Sequence, residues 1–216
     1  MTFHYQKTEH DCWICALRNF LSFFNISVSE EEILDILQHK NNFPVFCNRG
    51  FFTYLPIILD DLNIKCDIVL DPRNRLVQEI MDYEHGYGKI CSCCLDQIIQ
   101  TYKQQKDALY YFYKALKSAA LSPNITIRLD HPFVKEYLDW NYVVIACLTV
   151  SQLYGATGNE VLHSVTLKKE QGKILMIDPY EFLGKEEKNW MIWKENSLQY
   201  DWSQPIPYFI AAKVDE

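Results

Sequence analysis

The sequence predicts an α+β fold. Apolar residues recur at helical spacing through most of residues 12–140, strand-length apolar runs fill residues 142–214, and the two kinds of pattern are segregated rather than interleaved. At 216 residues the chain is long enough for one sizeable core. Its 49% apolar and 23% charged residues suit a globular domain, and seven glycines and eight prolines exclude low complexity. There is no internal repeat and no linker, so a single domain is expected over 1–216.

The elements follow in order. Trp13, Ala16, Leu17, Phe20, Leu21 and Phe24 make one apolar stripe, which predicts a helix over 12–24 with Cys12 in its first turn. Ser29 followed by Glu32 is a capping box. It opens a second helix that buries Ile33, Leu34, Ile36 and Leu37. Residues 39–52 carry Asn41-Asn42, Pro44 and Asn48-Arg49-Gly50 and read as loop. A short helix over 54–62 ends at Asn63, and 65–70 reads as a strand stopped by Asp71-Pro72. The pattern over 73–121 is helical but broken at Gly86 and Gly88, predicting helices near 74–83 and 93–120, the second containing Tyr110 to Tyr113. Another helix is expected at 132–138. Strands are expected at 143–150, 162–168, 173–177 and 208–214, forming an antiparallel sheet, with a turn near Gln171-Gly172 joining the middle two.

Bulk properties narrow the partners. A formal net charge of -7 gives no electrostatic case for binding nucleic acid or an anionic membrane. Fourteen tyrosines, twelve phenylalanines and five tryptophans point to a core rich in large side chains. The longest apolar run, 142–150, is far below the roughly 20 residues of a membrane span. The first residues have neither the basic nor the apolar region of a signal peptide. The eight cysteines, at 12, 15, 47, 66, 91, 93, 94 and 147, are scattered, which suits a reducing compartment better than a disulfide framework. A cytoplasmic location is the expectation, with leaderless export compatible.

The chemistry-bearing residues are Gln6, Cys12, His163 and Asp178. A cysteine attacks as its thiolate, and two devices for lowering its pKa are available: the N–H groups of a helix N-terminus and a nearby imidazole. His163 starts a strand with alternate apolar positions, and Asp178-Pro179 ends the return strand. A hairpin would bring the two level, so that the carboxylate orients the ring. Gln6 can supply an amide N–H to an oxyanion, together with the backbone N–H of Cys12. Cys12-x-x-Cys15 also fits a redox or zinc motif. However, no strand precedes it as in a thioredoxin-type unit, and the further ligands His85, Cys91, Cys93 and Cys94 have no standard zinc spacing. His10 is too close along the chain to face Cys12 across a cleft, and His131-Pro132 reads as a helix entry. No metal or cofactor is called for.

The order Gln6-x5-Cys12 opening a helix, then His163 on one strand and Asp178-Pro179 ending the next, resembles the papain-like cysteine peptidases. Within them it resembles the family C39 peptidases, which trim leader peptides. The resemblance rests on residues 5–21, 163–167 and 174–180, with 142–145 similar to the strand before the histidine hairpin. It implies an N-terminal helical lobe packed on the sheet, a catalytic set of Cys12, His163, Asp178 and Gln6, no cofactor, and a peptide or amide substrate that can be a protein. Residues 73–130 match nothing in that pattern and read as a helical insertion. Trp13 stands where family C39 has glycine. The alternatives are an acyl- or aminoacyltransferase on the same site, and a papain-like binding module without turnover.

Overall fold

The computed structural model describes residues 4, 12–40, 54–72, 74, 77–80, 95–96, 98–100, 108–129, 134–149, 162–179, 190–192 and 208–214. Among these, helix α1 (Cys12–Ser22), α2 (Glu30–Asp35, continued by a wider π-type turn, Ile36–Lys40) and α3 (Leu55–Asp61) precede β1 (Cys66–Leu70). Then come α4 (Ala108–Leu121), β2 (Ile125–Leu129), α5 (Val134–Asp139), β3 (Tyr142–Thr149), β4 (Leu162–Glu170), β5 (Lys173–Ile177), β6 (Trp190–Ile192) and β7 (Tyr208–Lys213). No helix among the described residues is long and apolar enough to cross a membrane.

The local chemistry explains the ends of the helices. Ser29 and Glu32 form the expected capping box: Glu32 N–H donates to Ser29 Oγ at 3.1 Å and Ser29 N–H to Glu32 Oε2 at 2.6 Å. α1 and α3 end on asparagines in the left-handed region, Asn25 and Asn63. The next N–H reaches back to the last turn in each case, Ile26 to Leu21 O at 3.2 Å and Ile64 to Leu59 O at 2.9 Å. Asn141 takes the same conformation after α5.

The seven strands form one sheet in the order β2-β1-β7-β3-β4-β5-β6. All neighbours are antiparallel except β1 and β2, which are parallel. The fold is α+β, but the sheet is mixed, and two of its strands come from the first 130 residues. The span expected to be a helical insertion, 73–130, contains β2. There α4 packs on β2 and on α3, inside the crossover that a parallel pair requires. β2 is a five-residue run, Ile-Thr-Ile-Arg-Leu, too short to stand out beside the long helical pattern before it. β6 was likewise not foreseen. Of the helices expected near 74–83 and 93–120, residues 77–80, 95–96 and 98–100 are helical, as is all of α4; most of the expected loop, from residue 41 on, lies outside the described residues.

Alternation along the strands makes two apolar layers. Val143, Ile145 and Cys147 of β3 face α1 to α4 with Ile68, Leu70 and Ile210. Val144 and Ala146 face the other way, with Val165, Leu167, Ile174, Met176 and Phe209, and meet Val134, Tyr137 and Leu138 of α5. The aromatic load goes into these layers: Phe20, Tyr54, Tyr113 and Phe209 are fully enclosed.

Between β4 and β5 the pair Glu170–Lys173 closes a two-residue turn. Its central residues Gln171 (φ 49) and Gly172 (φ 75) both lie in the left-handed region, the geometry of a type I′ hairpin. An added Cβ at Gly172 meets nothing within 4 Å, so a side chain there costs backbone strain alone. Gly172→Ala should lower stability by about 1 kcal/mol, read as a lower urea midpoint at unchanged slope.

Candidate functional site

α1 is buried on nearly every side: Trp13, Ile14, Cys15, Ala16, Leu17, Asn19, Phe20 and Leu21 are all enclosed. A helix so deeply set is placed by the sheet beneath it. Thr166 Oγ of β4 donates to Ala16 O at 2.8 Å, one turn along from Cys12, and fixes the helix against the strand. Asn19, fully buried, clasps the backbone of His4: His4 N–H donates to Asn19 Oδ1 at 2.8 Å, and Asn19 Nδ2 donates to His4 O at 3.1 Å. His4 is thereby held beside the helix. Gln6, two residues past this clasp, lies outside the described residues, as do His10, His85, Cys91, Cys93, Cys94 and His131.

Cys12, the first residue of α1, is half-buried. The donors that favour the thiolate of Cys12 are Ser164 of β4, through its backbone N–H and its hydroxyl, and the backbone N–H of Trp13. Ser164 and Thr166 thus face α1, and their neighbours His163, Val165 and Leu167 alternate to the other side. Thr166 pairs with Ile177, so Asp178, one residue beyond β5, comes alongside Val165 and diagonal to His163 on the same face.

The structure brings His163 and Asp178 together as expected, though diagonally rather than level. His163 Nε2 lies 2.7 Å from Asp178 Oδ1, with both residues buried. A carboxylate only accepts, so Nε2 carries the hydrogen and donates it, and the lone pair of the neutral ring is on Nδ1.

The electrostatics differ from the expectation. Burial pushes the Cys12 thiol above its ordinary value, and the negative charge of Asp178 adds to this. The hydrogen bonds from Ser164 and Trp13 pull the other way without overcoming burial. Burial also drives His163 down to about 4. The carboxylate 2.7 Å away favours imidazolium, but enclosure outweighs it. At neutral pH the pair therefore rests as thiol and neutral imidazole, not as the ion pair that a helix N-terminus and an imidazole suggested.

Two residues near Cys12 were missed. Ser164 is almost fully buried, and Cys147 pairs with it across the β3–β4 ladder. The Ser164 hydroxyl favours the thiolate form of both the Cys147 and Cys12 sulfurs. Alternation alone puts Ser164 on the face opposite His163, but its meeting with Cys147 needs the β3–β4 register, which no local pattern carries. Among the described residues no three His, Cys, Asp or Glu side chains are grouped to hold a metal ion.

Comparison with protein-family models, with curated proteins and with solved structures returns no match for this chain.

His163 makes stability depend on pH. It takes up a proton near 6.5 when unfolded but only at about 4 in the fold, so between these values the unfolded chain binds more protons. Falling pH therefore destabilises the fold through this window, by about 3 kcal/mol once below it. Urea midpoints should fall from pH 6.5 to 4 in the wild type and fall less in His163→Gln. Parallel curves for the two proteins would contradict the assignment.

Proposed function

We propose that this chain is a papain-like thiol hydrolase, a cysteine peptidase or amidase, acting through a thioester on Cys12. The observation that carries the reading is the buried 2.7 Å contact of His163 with Asp178, one residue along the strand from Ser164, which hydrogen-bonds the Cys12 sulfur. The segregated resemblance at both ends of the chain supports the same class.

The reaction starts from neutral partners. The proposed reaction requires His163 Nδ1 to reach Cys12 around the end of β4: Cys12 Sγ then attacks the carbonyl carbon of an amide while its proton passes to that nitrogen. Asp178 keeps Nε2–H in place and balances the imidazolium as it forms. Negative charge moves to the carbonyl oxygen, where the Cys12 N–H at the start of α1 and the Gln6 side-chain amide stabilise it. His163 then gives its proton to the leaving nitrogen, the C–N bond breaks, and an acyl-thioester remains. Water, deprotonated by the same ring, attacks the thioester and returns the thiol. The substrate is a peptide or amide, and a protein can present it. With an amine in place of water the same steps make an acyltransferase. The upward-shifted Cys12 thiol favours a second reading, a papain-like module that binds without turnover.

Peptide and amide libraries test the proposal. Cys12→Ala should lower amine release about 10⁴-fold or more while keeping the wild-type unfolding curve. Amine release undiminished in that variant rules the mechanism out. The acid limb of kcat/KM should fall near pH 4, where His163 gains its proton, rather than near 6.5. Products formed with and without added amines separate hydrolysis from transfer. A chain with no turnover, whose Cys12 is alkylated no faster than free cysteine, is the binding module.

A further inference from the structure

Ser164 and Cys147 are polar groups set in an apolar layer. Ser164 is 2% exposed and Cys147 3% exposed, and they stand opposite each other on β4 and β3, beneath the first turn of α1. Ser164 shares the face of β4 on which Thr166 bonds Ala16 O, one turn along α1 from Cys12, and its hydroxyl favours the thiolate of both Cys147 and Cys12. A hydroxyl has one proton to give and lone pairs to receive, so it can donate to only one of these sulfurs at a time.

We propose that Cys147 and Ser164 are positioning residues that act in series: the Cys147 S–H donates to Ser164 Oγ, which directs the Ser164 O–H onto the Cys12 sulfur. This inference rests on the thiol-hydrolase reading of Cys12. Cys147 can only serve as the donor. It is buried, burial holds its thiol far above the ordinary range, and a negative charge forming on Cys12 pushes it further up. A thiol that never ionises keeps its proton available at every working pH. Occupying one lone pair of Ser164 leaves the hydroxyl proton aimed at Cys12, where it joins the N–H groups of Ser164 and Trp13. The three donors converge on the sulfur as its proton leaves for His163. They oppose the burial and the Asp178 charge that resist the thiolate. The titratable groups whose charge couples to Cys12 among the described residues are Asp178 past β5 and Cys147 on β3.

The test is the pH profile of Cys12 alkylation by iodoacetamide, followed by mass spectrometry on the peptide that carries Cys12. Ser164→Ala should move the profile up by about one pH unit, and Cys147→Ala should move it in the same direction by a smaller step. Cys147→Ser, which still offers a proton from that position, should return to the wild-type profile. A hydroxyl that only fills space would leave the profile where it was, so an unmoved profile in Ser164→Ala overturns the proposal. Equal profiles for Cys147→Ala and Cys147→Ser overturn the part played by Cys147. Cys147→Ser keeps the size and polarity of the site and remains informative where the alanine variant fails to fold. Alkylation does not depend on turnover, so a Cys12→Ala protein that retains amine release defeats the hydrolase reading without touching this measurement.

Discussion

The alternation of β4 is the constraint on which the rest of the molecule depends. One strand serves two faces at once. Ser164 and Thr166 reach α1, Thr166 through the carbonyl of Ala16 and Ser164 through the sulfur of Cys12. His163, Val165 and Leu167 turn to the α5 side, where Asp178 arrives from the neighbouring strand. A slip of one residue in the β4–β5 register would exchange these faces and part His163 from Asp178. The two-residue turn at Gln171-Gly172 fixes that register with two left-handed residues. The placement of three side chains from distant parts of the sequence thus follows from one strand and one turn.

Enclosure then sets the protonation states. A thiolate and an imidazolium side by side would each lose their hydration on entering this layer, and their mutual attraction would have to offset both losses. Burial resolves the conflict by keeping the thiol protonated and the ring neutral. Asp178 then has a directional role. It holds the hydrogen on Nε2 and leaves Nδ1 as the basic nitrogen. In the proposed reaction, charge appears only as the bond to the substrate forms, at the moment when the surrounding donors are worth most.

Much of this was legible in the sequence because the signals were local. The stripe of α1, the Ser29–Glu32 capping box, the asparagines that stop helices and the Gln171-Gly172 turn each act over a few residues. The β4–β5 hairpin was readable for the same reason, and with it the meeting of His163 and Asp178. What escaped was set by contacts distant in sequence. β2 joins the sheet only because it pairs with β1 across more than fifty intervening residues. Asn19 looks like an interruption of an apolar stripe until His4 is laid against it. The upward shift of Cys12 came from enclosure by the whole layer, whereas the sequence displayed only the local devices that lower a thiol's pKa.

Polar side chains in the α1–β4 interface carry a further implication. A strand serving stability alone would present valine or isoleucine to a buried helix, since each enclosed hydroxyl must find a partner to avoid a net cost. β4 presents Ser164 and Thr166, both enclosed and both hydrogen-bonded to α1. Apolar contacts would let the helix settle wherever the packing is best, to within a fraction of an ångström. Hydrogen bonds to a carbonyl and to a sulfur specify both its height and its rotation on the strand. The residue whose position is thereby defined most closely is the first of α1, Cys12. An interface that gives up apolar contact to set the position of one half-buried sulfur is consistent with the role proposed for that sulfur.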